Sequence, residues 1–168
     1  ILDHHLYTGL AGTAGEAGHM IVQPGGRSCP CGNHGCLEQY ISEPAVLSRY
    51  RELSGRTTVS IDDLVWAYNQ KETAALAVTD EFTTYLACGI NNLWNLFSPE
   101  CIILNSQLTA YLPQLLPEIL QKLSPRFRAT CHLKLSTLQD TGVLLGAARV
   151  CISKYLGTEK LYFSGLQP

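Results

Sequence analysis

Residues 15–38 read GEAGHMIVQPGGRSCPCGNHGCLE and bring four potential metal ligands into one short segment. The ligands are one imidazole and three thiols, namely His19, Cys29, Cys31 and Cys36. Three thiolates and a neutral imidazole form a closed tetrahedral site of the kind that holds zinc structurally. Glycines and prolines within residues 24–35 let the backbone turn back so that the thiols converge. The pattern predicts a structural zinc site that leaves no open position for water.

A second histidine competes for the fourth ligand position. His34 lies on the tight turn between Cys31 and Cys36, where an imidazole points more easily to solvent. We therefore prefer His19 as the ligand, with His34 as the alternative.

Two carboxylates flank the metal loop, Glu16 before His19 and Glu38 just after Cys36. An isolated glutamate is usually a solvated surface charge. Here both are attached to a segment that a metal would make rigid. Ionised carboxylates accept several hydrogen bonds, and a metal-bound histidine keeps one nitrogen as a donor. Glu16, His19 and Glu38 together are therefore candidates for binding a polyol.

The composition narrows the class of protein. A chain of 168 residues with 46% hydrophobic and 15% charged residues fits one globular domain, and a net charge of -2 gives no basic footprint for nucleic acid. No apolar run approaches the roughly 18–20 residues of a membrane span. The chain opens at Ile1 without a signal peptide, and we interpret it as part of a longer protein.

Cysteine usage indicates the redox compartment. Seven cysteines cannot form a complete disulfide framework, and the four outside the loop lie in apolar stretches, where a thiol behaves as a small hydrophobe: Cys88, Cys101, Cys131 and Cys151. Three metal thiolates and four free thiols predict a reducing compartment, for which we expect the cytoplasm.

Hydrophobic periodicity predicts an α/β fold. Short strands are expected at 101–104 and 131–135, and helices at 37–54 with a break near Pro44, 60–69, 76–97, 108–123 with irregularities at Pro113 and Pro117, and 141–156. The alternation of helix and strand in the second half favours a sheet covered by helices. The glycines before the loop do not form a GxGxxG phosphate motif, and no nucleophile or other catalytic residue can be identified.

The chain resembles the ROK family of sugar kinases and sugar-responsive repressors. Its motif, ExGH followed by CxCGxxGCxE, is matched by residues 16–19 and 29–38, and the segments 6–15, 98–104 and 146–148 also look like family sequence. The resemblance implies an actin-like ATPase (ribonuclease H-like) lobe with a zinc-binding loop insertion. It also implies that Glu16, His19 and Glu38 contact sugar hydroxyls, while His19, Cys29, Cys31 and Cys36 bind zinc.

The resemblance covers mainly the C-terminal portion of such a protein. Residues 1–38 would form the sugar and zinc loop region and residues 39–168 a helical and α/β portion, with the other lobe and a DNA-reading domain upstream. Family kinases carry an upstream phosphate motif and catalytic aspartate that these 168 residues lack. Where the family usually has a glycine pair after the late strand, this chain has Asn105-Ser106-Gln107. Side chains there crowd the approach to a nucleotide.

These departures favour the regulator branch. We expect the effector-sensing portion of a NagC-like repressor that binds a sugar or sugar phosphate, forms a homodimer or tetramer, and reaches DNA only through another domain. The alternatives are a fragment of an ATP-dependent sugar kinase and a zinc-stabilised module that binds a protein partner.

Overall fold

The computed structural model describes residues 1–2, 5–130, 132–138 and 141–158. Short 3₁₀ turns occur at Leu10–Gly12 and Ala17–His19. The longer elements that follow are α1 (Glu38–Ile41), α2 (Glu43–Ser54), α3 (Ile61–Asn69), α4 (Thr73–Phe97), β1 (Cys101–Leu104), α5 (Gln107–Tyr111), α6 (Leu115–Lys122), α7 (Pro125–Thr130), β2 (His132–Leu135) and α8 (Thr141–Tyr155). This content confirms the predicted α/β class.

The chain divides into two compact units. The central unit is Ala17–Gln139, and the terminal unit combines Ile1–Glu16 with Asp140–Pro168. The Leu10–Gly12 turn and α8 belong to the terminal unit, and the other named elements to the central unit. The functional division at residue 38 falls inside the central unit and stays a prediction.

Helix α4 forms the centre of the core in the central unit. Its buried apolar side chains recur every three or four residues and so lie on one face: Ala75, Val78, Phe82, Leu86, Ile90 and Trp94. Helices α2, α3 and α6 pack against it. Because burying a large apolar side chain contributes about 1.5–3 kcal/mol, this face supplies much of the unit's stability. The helix ends where Ser98 adopts a left-handed conformation with φ 43 and Pro99 follows.

The two strands form a parallel pair. Cys101 lies opposite His132 and Leu104 opposite Leu135, with α5, α6 and α7 between the strands in sequence. Ile102 and Leu133 face the core, whereas Ile103 is exposed. The predicted strand at 101–104 is confirmed. The second strand is confirmed from His132 onward, and Cys131 lies outside the described residues.

Capping explains two predicted boundaries. The hydroxyl of Ser60 accepts a hydrogen bond from the N–H of Asp63, whose carboxylate accepts one from the N–H of Ser60, so α3 begins with a capping box. Ser42 is extended and caps α2, with Pro44 in the first turn of that helix. The predicted break near Pro44 therefore lies at Ser42, between α1 and α2.

The predicted helix at 108–123 is wrong as a single element. The structure divides it into α5 and α6, and α7 was not predicted. Pro113 disfavours the helical conformation at Leu112, which has φ -121 and ψ 67, and it supplies no N–H to continue the helix. Pro117 is tolerated because it lies in the first turn of α6, where a missing N–H leaves no helical bond unmade.

The described helices give no candidate for a membrane span, since none combines the necessary length with sufficient apolar character.

Candidate metal centre

The loop from His19 to Cys36 folds back on itself through short antiparallel pairings. Ile21 pairs with Cys36, and Ser28 pairs with His34. The N–H of Gly35 donates to the carbonyl of Arg27 over 2.7 Å, and the carbonyl of Gly35 accepts from the N–H of Val22 over 2.9 Å. These bonds return the end of the loop to its beginning, as the glycine and proline content predicted.

Gly35 is the residue that this close return requires. Its φ is 84, a left-handed conformation that side chains with a Cβ rarely adopt. A Cβ at this position would lie 1.7 Å from the carbonyl oxygen of Gln23. The two arms of the loop can therefore approach this closely only with glycine at position 35.

The fold brings together one ligand atom from each of His19, Cys29, Cys31 and Cys36, all within 4.8 Å of one another. The Sγ atoms of Cys31 and Cys36 are 3.6 Å apart, and Sγ of Cys29 lies 3.6 Å from Nδ1 of His19. Zinc bonds of about 2.3 Å to sulfur and 2.0–2.1 Å to nitrogen would place tetrahedral ligands about 3.8 Å (S to S) and 3.5 Å (S to N) apart. The Cys31–Cys36 and Cys29–His19 distances are close to those around a four-coordinate metal.

His34 does not join this cluster. It is exposed at the tip of the loop, where its backbone pairs with Ser28. The structure brings His19 to the three cysteines, as the preferred ligand set requires. Metal ligation itself stays a prediction.

The thiols differ in exposure and in proton affinity. Cys29 and Cys36 are buried, with 4% and 0% of their surface exposed, whereas Cys31 is exposed. Hydrogen bonding to Glu38 raises the pKa of Cys29 to about 12, and burial raises the pKa of Cys36. A backbone hydrogen bond from Asn33 lowers the pKa of Cys31 to about 7. A bound cation would deprotonate coordinating thiols outright, so metal binding here must release protons.

Glu38 lies directly against the ligand cluster. Its Oε1 accepts a hydrogen bond from Cys29 Sγ over 3.0 Å and lies 3.7 Å from Nδ1 of His19. The hydrogen bond from Cys29 holds the pKa of Glu38 below its usual value. The Glu38 and His19 side chains are 35% and 37% exposed, so both reach a surface that a ligand can approach. The sequence predicted that Glu38 lies next to the loop, but it did not predict that Glu38 contacts a thiol.

Glu16 ends the N-terminal segment of the terminal unit, whereas His19 and Glu38 belong to the central unit. The structure describes Glu16 as exposed. Its approach to a ligand bound at His19 and Glu38 stays a prediction.

A separate cavity of about 450 Å³ lies in the terminal unit. Its lining comes from the N-terminal segment and from the end of α8, and includes His5, Thr8, Ser153 and Lys154. It contains none of the residues that the sequence assigns to metal or sugar binding.

At the carboxyl end of β1, Asn105 and Ser106 lead into α5. Ser106 is extended, with φ -142 and ψ 134, and its side chain makes no capping bond to the helix. This is the edge of a parallel sheet at which ligands commonly bind. Asn105 and Ser106, and not two glycines, therefore follow β1 at this edge.

Comparison with known proteins gives a consistent family. A family model described as "ROK family" matches residues 1–154. A xylose repressor from Bacillus spizizenii is 32% identical over 165 residues, which cover 96% of this chain and 42% of the repressor. An N-acetyl-D-glucosamine kinase from Haemophilus influenzae is 28% identical over 167 residues, covering 92% of this chain and 55% of the kinase.

A solved structure extends the likeness to the fold. A ROK family transcriptional regulator, described as a homologue of the E. coli MLC protein, superposes with a TM-score of 0.73 and 28% identity over 94% of this chain and 43% of its own. The chain spans about two fifths of the length of the xylose repressor and of this transcriptional regulator. These likenesses extend to repressors and to sugar kinases.

Proposed function

Because the chain belongs to the ROK family, we propose that it is the sugar-sensing portion of a transcriptional regulator with a structural zinc. In this proposal His19, Cys29, Cys31 and Cys36 hold the metal. Glu16, His19 and Glu38 bind the hydroxyls of a sugar or sugar phosphate.

The observation that carries the proposal is the contact between the ligand cluster and Glu38. Nδ1 of His19 faces Cys29, so a metal bound at Nδ1 leaves Nε2, on the other side of the ring, as the nitrogen that donates to a ligand. The Glu38 carboxylate lies against the same imidazole, with Oε1 3.7 Å from Nδ1, and would accept hydroxyl hydrogens of the same ligand. A donor and an acceptor held by one metal-ordered loop suit adjacent hydroxyls of a sugar.

The metal in this proposal orders the site and takes no part in chemistry. Four protein ligands close the coordination shell of zinc, so no water can bind and become activated. Zinc would supply folding free energy to a loop whose order otherwise depends on a few backbone hydrogen bonds.

Two observations support a regulator over a kinase. The xylose repressor shares 32% of its aligned residues with this chain, and the N-acetyl-D-glucosamine kinase shares 28%. Asn105 and Ser106 place side chains at the carboxyl end of β1, where a nucleotide needs close access to the backbone. Phosphoryl transfer requires a cradle for the nucleotide phosphates and a residue that orients the attacking hydroxyl. We assign neither role to any residue of this chain.

A sugar kinase remains the second candidate, because the kinase likeness covers 92% of the chain. Coupled ADP release by the full-length protein, with hexoses and N-acetylhexosamines as acceptors, distinguishes the two. We expect no turnover, and a rate of order 1 s⁻¹ or more would favour the kinase.

The regulator proposal includes its mode of action. A sugar that binds one arrangement of a homodimer or tetramer more tightly than another shifts the population between them. The shift would reach DNA through a domain outside this chain, in the reducing cytoplasm that free thiols favour. The similarity to xylose repressors makes D-xylose the first sugar to test.

The direct test is calorimetry of the zinc-loaded full-length protein with D-xylose, D-glucose, N-acetyl-D-glucosamine and their phosphates. We expect one of them to bind, and Glu16→Ala and Glu38→Ala each to weaken it about tenfold or more, because a hydrogen bond to a charged group contributes about 1.5–3 kcal/mol. Glu43→Ala, at an exposed glutamate in the first turn of α2, is the matched control. Unchanged sugar affinity in both site variants would contradict this site. A heat of binding that appears only with a protein partner, and with no sugar, would favour the zinc-stabilised interaction module.

A further inference from the structure

Arg27 connects three parts of the central unit that the candidate site needs to hold together. Its backbone carbonyl accepts from Gly35 in the metal loop, and its N–H donates to the hydroxyl of Tyr40 over 3.0 Å. Its guanidinium donates to the carbonyl of Gln39 over 2.8 Å and forms an ion pair with Glu81 of α4.

Glu81 fixes the guanidinium from the other side. Its second carboxylate oxygen accepts from Nε of Arg49 in α2 over 3.2 Å, and Arg49 also pairs with Glu52. The Glu81 side chain is 23% exposed, so water only partly screens these pairs. Arg49 shares Glu81 with Arg27 but reaches neither the metal loop nor α1 through any of these bonds.

Aromatic contacts also fix the position of the Arg27 guanidinium. The Arg27 guanidinium lies 4.5 Å above the ring of Tyr40, and this ring stacks on Tyr85 of α4 at a centroid distance of 4.0 Å. The backbone packs so closely here that a Cβ at Gly26 would lie 2.1 Å from the Tyr40 hydroxyl. Arg27 is therefore confined by hydrogen bonds, an ion pair and a ring.

The two segments that Arg27 joins carry the two members of a key contact. Cys29 follows Arg27 by two residues, and Glu38 immediately precedes Gln39, whose carbonyl the guanidinium binds. The Cys29–Glu38 contact of 3.0 Å lies between these two segments. Loss of the guanidinium would leave the start of α1 able to shift relative to the thiol arm.

We propose that Arg27 is a positioning residue that holds the Glu38 carboxylate against the metal centre, with Glu81 fixing its guanidinium. The proposal deepens the proposed function, since it names what orients the sugar-binding carboxylate. Arg27 itself touches neither metal nor sugar.

The test compares Arg27→Met with Arg49→Met, each of which keeps an apolar stem and removes one ion pair to Glu81. The chain is loaded with Co²⁺, and two quantities are measured: the dissociation constant of Co²⁺ and the thiolate-to-cobalt charge-transfer band. Both are measured in the two single variants, in Glu38→Gln, and in the double variants that combine Glu38→Gln with Arg27→Met or with Arg49→Met. We expect Arg27→Met to move both readouts in the same direction as Glu38→Gln, with a change of about tenfold in affinity. Arg49→Met should stay within about twofold of the unchanged chain.

The double variants separate positioning from general destabilisation. If Arg27 acts through Glu38, Arg27→Met should add no further change in the Glu38→Gln background, because coupled residues are non-additive. Arg27→Lys, which keeps the charge but not the planar fork, should be intermediate, and it also serves if Arg27→Met folds poorly. Equal effects of Arg27→Met and Arg49→Met, or a full additional effect in the Glu38→Gln background, would overturn the proposal.

A sugar titration distinguishes failure of this proposal from failure of the proposed function. With D-xylose and the full-length protein, Arg27→Met should weaken binding about tenfold and Arg49→Met should not. If no sugar of the panel binds while the cobalt effects are non-additive, the sensing function fails and the positioning role stands. If the unchanged chain binds no Co²⁺, the metal site is wrong and the positioning proposal falls with it.

Discussion

Alanine at Gly35 should weaken zinc binding about 300-fold, whereas alanine at Gly32 should weaken it about tenfold. Both glycines lie in the metal loop with positive φ, 84 at Gly35 and 93 at Gly32. They differ in their surroundings, because a Cβ at Gly35 would lie 1.7 Å from the Gln23 carbonyl oxygen and one at Gly32 meets no atom within 4 Å. Gly32→Ala is therefore a control for backbone strain alone.

The magnitudes follow from these contacts. A left-handed conformation costs a residue with a Cβ about 1–2 kcal/mol, which is the whole effect at Gly32. At Gly35 the carbonyl of Gln23 must also move away, which disrupts the bonds from Val22 and Gln23 to the Gly35 carbonyl, at 2.9 and 3.2 Å. Each is worth about 0.5–1.5 kcal/mol, giving about 3.5 kcal/mol in all. Because the ligands meet only when the loop closes, this cost appears as lost metal affinity.

The assay is competition for zinc with a chromophoric chelator at fixed pH, and circular dichroism shows that both variants fold. An intermediate effect of Gly32→Ala and a much larger one of Gly35→Ala support the closed loop. Equal losses in the two variants, or unchanged affinity in Gly35→Ala, would refute the argument from close approach.

Three further predictions concern metal content, pH and the ion pair between α4 and α6. Cys31→Ala should lose stoichiometric zinc by elemental analysis and melt at lower temperature, whereas Cys88→Ala, outside the loop, should keep its zinc. Lowering the pH from 7 to 6 should weaken zinc binding by about 100-fold or more. The raised pKa values of Cys29 and Cys36 leave at least two protons for the metal to displace. A zinc affinity that does not depend on pH would exclude thiolate ligation. Lys122→Met should lower the free energy of unfolding, measured with denaturant, by about 1 kcal/mol, because Nζ of Lys122 binds the Asp80 carboxylate at 2.6 Å. Zinc affinity should not change, because this pair is far from the loop in sequence, and a parallel loss of zinc would contradict this separation.

The sequence predicted elements whose causes are local. Ser60 and Asp63 are three residues apart, so the capping box of α3 could be recognised directly. The end of α4 could be predicted because Pro99 follows Ser98. The division between α5 and α6 was missed, since Pro113 and Pro117 look alike in sequence but only the first interrupts a helix.

The start of α7 carries a local sequence signal. Ser124 precedes Pro125, and its hydroxyl accepts from the N–H of Phe127 over 3.2 Å. A capping serine followed by proline at the first helical position is a recognised helix start.

By contrast, the exposure of α8 could not be predicted: Val143 is 79% and Leu144 72% exposed, although apolar residues in a helix predict burial.

The candidate site also has one part that the sequence predicts and another that only the folded chain shows. The meeting of His19, Cys29, Cys31 and Cys36 could be predicted because the four residues lie in one loop and their chemistry suits zinc, whereas metal ligation stays a prediction. The support of that loop could not, because Glu81 is 54 residues from Arg27 and no sequence pattern connects them. A single charged residue on a helix is usually a solvated side chain, so only the folded chain shows that this one binds the loop.

Two consecutive residues of helix α4 form ion pairs with different elements of the central unit. Asp80 binds Lys122 of α6, and Glu81 binds Arg27 of the metal loop and Arg49 of α2. Successive helical residues point about 100° apart, so neighbouring positions on one turn can hold elements on different sides. The metal loop is therefore attached to the most buried helix of the central unit, while most of its own residues are exposed. Because segments with few buried contacts open with less free energy than the core, we expect the backbone hydrogen bonds of the loop and the Arg27–Glu81 pair to limit how often the loop opens.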